Sequence, residues 1–273
     1  MAFDIHTLDY SEEILSAAGV DRKLLSRPVP SGTAAGTVTP DAAEKTGLST
    51  AGGTVDELEA LCREMVAGVN RYVDLVERDE NGCCVVADSL PEDARAAMEK
   101  LAETYTFLDV YYPRPKAILW SEFLSYCNFT GIYSPFTGEC QYNRLIPAYN
   151  LPHTVCHELG HAAGFEREDE ANFIGFLACV SADDPGFAYS GYLLGYIYAT
   201  NALYSADYDR FVTARKGLDP KASHDLDVNT EYWSHYKGKV AEVSTSINNN
   251  TLTFHGVEDG VQSYGREIGR AHV

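Results

Sequence analysis

The residues best equipped for chemistry lie in one stretch, LPHTVCHELGHAAGFEREDEANFIGFLACV, over positions 151–180. His157, Glu158 and His161 form a His-Glu-x-x-His pattern within five residues. On a helix, side chains four apart share a face, so both imidazoles can reach a single ion. Neutral imidazole is a common ligand of zinc, and the glutamate beside the first histidine can act on water as general base. The flanking Val155, Cys156, Leu159 and Ala162 are apolar. Two unliganded histidines would burden such a setting, and one Zn2+ ion removes that burden.

A catalytic zinc takes three protein ligands and leaves one position open. The third must come from the acidic cluster after Gly164, where Glu166, Glu168, Asp169 and Glu170 are all within reach. A helix beginning near Arg167 places Glu168, Asn172, Gly175 and Cys179 on one stripe. The small Ala171 and Gly175 on that side let this helix approach the first one closely. Glu168 is therefore the expected ligand, with Glu170 the alternative. Asn172, one turn on, is placed to accept a hydrogen bond from a ligand histidine.

The implied reaction is zinc-dependent peptide hydrolysis, with Glu158 assisting attack of a zinc-bound water on the scissile carbonyl. The developing oxyanion needs a further donor. Tyr189, Tyr264 and Arg266 are the candidates. The strand expected at 139–145 either offers an edge to an extended peptide or forms a plain hairpin. Two other functions fit the same motif: a metal-binding regulatory protein with little activity, and a zinc hydrolase acting on something other than peptides.

The elements that must position these groups follow from periodicity and punctuation. Thr54, early acids and apolar residues at 55, 58, 61, 65, 69, 72 and 76 predict a helix over 55–76, ending before the turn Asn81-Gly82. Residues 91–107 repeat the pattern behind Pro91. The aromatic and β-branched stretch 117–150 reads as short strands and turns. Helices are expected over about 152–163, 167–181 and 187–204, with Asp183-Asp184-Pro185 dividing the last two. Shorter ones follow at 205–216 and 228–237. The class is α+β, mostly helical, with a small β-hairpin or sheet ahead of the motif helix. Residues 1–30 read as a segment that docks on the main body, carrying one short helix. Residues 31–54 are a flexible linker rich in Gly, Ser, Thr and Ala, and 55–273 form the catalytic domain.

The chain has 273 residues, with 21 Lys and Arg against 40 Asp and Glu, a net charge of −19. Such an acidic surface disfavours nucleic acid and anionic lipid as partners, and the motif's chemistry is what points to a peptide or protein substrate. Seven cysteines without a CxxC pair signal neither a zinc knuckle nor a disulfide framework, and Cys140, Cys156 and Cys179 read as core thiols. The start, MAFDIHTLDYSEE, lacks the features of a signal peptide. The uncharged stretch 186–204 is rich in Gly, Ala, Ser and Tyr and reads as a buried helix, so the chain is expected to be soluble.

Several separated stretches resemble a bacterial family of predicted membrane-anchored zinc metallopeptidases, known as domain of unknown function 3810. They are SYCNFTGIYSPFTGE (125–139), the motif region 150–179, DDPGFAYSGYLLGYIYATNALY (183–204) and EDGVQSYGR (258–266). The 55–76 helix and residues 108–121 add to the likeness, which runs from about residue 54 to the end. It implies a zincin-like metallopeptidase domain of gluzincin type, in a parent protein held at the cell membrane with its catalytic part outside the bilayer. Residues 168–175, EDEANFIG, are also similar to the ExEADxxA helix of prenyl-protein-processing peptidases. That similarity implies Glu168 as ligand and Asn172, in place of an Asp, as the group orienting a histidine. Ala162 stands where the family usually has Gln, and the transmembrane helices that normally precede the catalytic part are not found in this chain.

Overall fold

The computed structural model describes residues 54–237, together with the backbone of two short strands, β1 (Phe3–Asp4) and β2 (Asp9–Tyr10), which pair antiparallel. The rest of the expected docking segment over 1–30, nearly all of the linker over 31–54, and everything beyond 237 lie outside the described residues.

Helix α1 (Val55–Tyr72) starts where its residue types require. The Thr54 hydroxyl accepts the backbone N–H of Glu57, and the Glu57 carboxylate accepts that of Thr54, which satisfies two end donors reciprocally. Acids in its first turn and Arg71 in its last suit the helix dipole. The helix stops four residues short of the expected end, although Val73 and Val76 still pack into the core. A turn through Gly82 (φ 79°) then brings Arg78 and Cys84 into a β-bridge. Helix α2 (Leu90–Thr104) carries Pro91 in its first turn and ends before a single 3₁₀ turn at Thr106–Leu108.

Three short strands form one sheet: β3 (Lys116–Ala117), β4 (Gly131–Ser134) and β5 (Glu139–Tyr142), in the order β3-β5-β4. β5 pairs antiparallel with β4 and parallel with β3. The 117–150 stretch is not all strand and turn, because α3 (Ser121–Tyr126) lies within it. Ser121, Leu124 and Ser125 follow helical spacing and are buried, while Trp120 and Phe123 stay exposed. The aromatic content masked that short amphipathic turn.

Five helices complete the chain: α4 (Leu151–Ala162), α5 (Glu168–Ser181), α6 (Pro185–Ala206), α7 (Tyr208–Arg215) and α8 (Pro220–His235). Asp184, Asp207 and Asp219 each cap the following helix with a side-chain carboxylate. The Asp219-Pro220 pair starts α8 well before the expected 228. The class is mostly helical α+β, with the small sheet ahead of the motif helix.

Two apolar clusters hold the molecule together. In the first, α2, α4, α5 and the sheet meet around Met98, Leu101, Cys140, Val155, Leu159 and Cys179. In the second, α1, α6 and the later helices meet around Val69, Val73, Tyr149, Leu193 and Leu203. Helix α6 carries no charge because α1, α4, α5 and α7 all pack on it. Its contact with α1 is so close that a methyl on Gly68 would fall 2.1 Å from the Tyr192 ring. Among the described residues, no helix is long and apolar enough to cross a membrane. None of the seven cysteines forms a disulfide, and Cys140, Cys156 and Cys179 are core thiols as read from the sequence.

Candidate metal centre

The site is built on two helices and the turn between them. In α4, Val155, Cys156 and Leu159 face the core, which leaves His157 and His161 on an adjacent face, one turn apart. Their Nε2 atoms lie 3.0 Å apart. The helix ends in a left-handed turn at Gly164 (φ 99°), where the Phe165 N–H bonds back to the Gly160 carbonyl. That reversal sets the Phe165 carbonyl 2.7 Å from His161 Nδ1. A carbonyl only accepts, so Nδ1 carries the proton and Nε2 presents its lone pair to the cluster.

The turn also starts α5 at Glu168, whose Oε2 lies 3.2 Å from His157 Nε2 and 3.8 Å from His161 Nε2. Around a tetrahedral ion with bonds of about 2.0–2.1 Å, neighbouring donor atoms are about 3.3 Å apart. The three contacts bracket that spacing, and the donor set is the nitrogen and oxygen type that zinc accepts. Among the described residues, this trio is the one group of three or more His, Cys, Asp or Glu side chains that close together. The side chains keep 13, 13 and 26% of their exposure, so the cluster opens to solvent and is not sealed like a structural zinc site.

The electrostatics suit a shared positive charge. Burial raises the Glu168 carboxyl, but hydrogen bonds and charge from His157 and His161 outweigh it and hold its pKa down at about 2. Burial works against a charged His161, and the neighbouring Glu168 more than compensates, which raises that imidazole above its ordinary value. Glu158 differs. It is 5% exposed, and burial pushes its carboxyl up to about 7, against the pull of the two imidazoles and with a push from Glu168. A carboxyl titrating near neutrality is suited to taking and returning a proton.

Strand β4 covers this glutamate. A methyl on Gly131 would sit 2.4 Å from Glu158 Oε1, so the backbone passes directly over the carboxyl. Two residues on, on the same strand face, the Tyr133 ring stacks on His161 with centroids 6.5 Å apart. Below, the Cys140 thiol of β5 donates to the Glu158 carbonyl at 3.2 Å. Neither Gly131 nor Tyr133 was singled out from the sequence. Their two-residue alternation in GIYS was the available signal, but it does not tell which helix the strand covers.

The other expected site residues fare differently. Glu170 is 51% exposed beside Arg167 and lies outside the trio. Asn172 is buried, but neither ligand Nδ1 is held by its side chain: His161 Nδ1 donates to Phe165, and His157 Nδ1 has no hydrogen-bond partner. It is the Asn172 backbone carbonyl that contacts a histidine, and that histidine is His153, at 3.2 Å. Tyr189 lies in the interior. Its ring is fully buried and its hydroxyl donates to Asp225 at 2.5 Å, within a network that also includes the Arg78–Asp225 ion pair at 3.0 Å. Its hydroxyl thus donates to Asp225 and accepts from Arg78. Tyr264 and Arg266 lie outside the described residues. Within the 139–145 stretch, β5 is the central strand, paired with β4 along 139–142 and with β3 at Gln141 and Tyr142, and the outer strands of the sheet are β3 and β4.

No curated protein and no solved structure matches the chain. The family model described as "Protein of unknown function (DUF3810)" matches residues 38–269, well over half of the sequence, and the chain belongs to that family.

Proposed function

We infer that this protein is a zinc-dependent metallopeptidase on a zincin-like framework, with His157, His161 and Glu168 as zinc ligands and Glu158 as general base. One observation carries the reading: three donor atoms converge at 3.0, 3.2 and 3.8 Å, with a buried carboxyl of near-neutral pKa on the same helix. A zinc ion held there would supply Lewis acidity toward water and a substrate carbonyl. Glu158, confined under β4, takes a proton from the attacking water and returns it to the leaving amine. β4 sets Gly131 over Glu158 and Tyr133 against His161 and has no strand on its outer edge among the described residues, and an extended peptide can add to that edge as a further strand. Backbone pairing of that kind favours a peptide over an ester or small amide.

The test is elemental analysis of the purified protein together with turnover on a mixture of quenched fluorescent peptides. Wild type is expected to hold about one zinc per chain, as a single three-ligand site requires, and His157→Ala to hold almost none. Glu158→Gln keeps the zinc and loses about 100- to 10,000-fold in turnover. Wild-type protein with negligible zinc would overturn the reading. Zinc retained without any peptide cleavage would replace it with a binding or regulatory role.

A further inference from the structure

His153 stands one turn before His157 on α4, a third imidazole on the motif helix. It is 5% exposed and is not among the converging donors. Burial holds its pKa well below the ordinary histidine value, at about 3, so the ring is neutral. Its Nε2 lies 3.2 Å from the Asn172 carbonyl, and because a carbonyl only accepts, that nitrogen carries the proton. Asn172 is one turn beyond Glu168 on α5. The bond therefore runs from the helix with both imidazoles to the backbone of the helix with the third donor.

The surrounding contacts are of another kind. A methyl on Gly175 would lie 3.1 Å from the His157 nitrogen and 3.4 Å from His153 Nε2, and one on Gly160 would lie 3.5 Å from Ala171 Cα. These small residues set how near α5 comes to α4, but dispersion contacts have little directionality and tolerate a slide along the helix axis. A hydrogen bond weakens steeply with misalignment and resists that slide. Displacement of α5 by about 1 Å is the scale at which a coordination shell fails.

We propose that His153 is a positioning residue: its Nε2–H bond to the Asn172 carbonyl fixes the register of α5 against α4 and thereby places Glu168 for the ion. The assignment rests on the zinc site proposed above. Without touching the ion, His153 acts on it through the backbone of the ligand helix.

The experiment uses the full chain, with zinc affinity measured by competition against a chromophoric chelator and corrected for the folded fraction from circular dichroism. Glutamine carries its amide nitrogen near the position of histidine Nε2, whereas the shorter asparagine reaches only about as far as Nδ1. His153→Gln is expected to bind zinc within about threefold of wild type, and His153→Asn to bind about 10- to 100-fold more weakly per folded molecule. Cobalt substitution gives a second readout, with visible absorption bands of wild-type shape in the glutamine variant. Equal affinity in wild type and the asparagine variant would overturn the positioning role while leaving the zinc site intact. A glutamine variant that folds but loses affinity, or cobalt bands that change with glutamine, would overturn it as well. Wild-type protein that takes up no zinc would overturn both this role and the function on which it rests.

Discussion

Gly131→Ala adds one methyl group at the point where β4 crosses Glu158. The backbone there is not left-handed, since among the described residues the glycines with positive φ are Gly82, Gly138 and Gly164, so alanine meets no torsional strain. The conflict is steric. The new carbon would lie 2.4 Å from Glu158 Oε1, 2.8 Å from Cγ and 2.9 Å from Cδ, where ordinary contact begins at 3.4 Å. The carboxyl must therefore retreat by about 1 Å, and the Cγ contact means that spinning the terminal group alone is not enough. Crowding of this sort costs about 1–3 kcal/mol, partly offset by about 0.5–1 kcal/mol from replacing glycine in a strand. The fold should lose about 2.5 kcal/mol at most. Chemistry is more exacting, because a misplacement of about 1 Å in a reacting group costs about 100-fold in rate, or about 2.7 kcal/mol of barrier. All three atoms nearest to the methyl belong to Glu158 and none to a zinc donor, so zinc content stays at the wild-type level. The assay is kcat/KM on the fluorescent peptides, alongside zinc content and Tm. In a Glu158→Gln background, Gly131→Ala should cause no further loss, since both changes act through one group. Turnover within about threefold of wild type in a stable, zinc-loaded Gly131→Ala protein would show that Glu158 does not work from beneath β4.

Three further outcomes are expected. Glu168→Gln should weaken zinc binding by more than about 100-fold, beyond what loss of an outer partner causes, whereas the exposed Glu170→Gln changes it by less than about twofold; a competition titration that ranks them otherwise would reassign the third ligand. Tyr189→Phe removes a hydrogen bond to the buried Asp225 and should cost about 2 kcal/mol in denaturant unfolding with turnover unchanged, while a stable variant with turnover lost would return Tyr189 to the site. His153 is neutral in the fold, with its pKa lowered to about 3, and takes up a proton in the unfolded chain below the ordinary 6.5. Its share of stability is complete above 6.5 and is lost as pH falls toward 3. Between pH 6.5 and 5, wild type should lose about 1.4 kcal/mol per pH unit relative to His153→Gln, and parallel pH profiles of the two would contradict a buried neutral ring.

The parts of the site that were legible in the sequence are those that helical repetition encodes. His157 and His161 share a face because they are four apart, and the stripe from Glu168 through Gly175 picks out Glu168, the carboxylate found beside both imidazoles, over Glu170. Ala171 and Gly175 announced a close neighbour through their size, and α4 proves to be that neighbour. What periodicity cannot encode is which face meets which. Tyr189 has the look of a catalytic phenol in YSG, but its partner Asp225 lies 36 residues on and Arg78 lies 111 residues back. The partner of His153 is a backbone carbonyl, which no residue type advertises. Strand 139–145 was legible as a strand, yet only the pairing of β3 on its far side shows that it is central and that β3 and β4 are the edge strands.

This division bears on how the site responds to change. The two imidazoles project from a single helix, so their spacing does not depend on the register between helices. Glu168 depends on the register between two helices, and Glu158 depends on a strand passing above it. Loss of the α4–α5 register should therefore weaken the ion first, whereas movement of β4 should disable proton transfer while the ion stays bound. His153→Asn and Gly131→Ala address these two supports separately. A protein in which both variants fail together, losing zinc and turnover in step, would have one cooperative scaffold where the contacts described here indicate two.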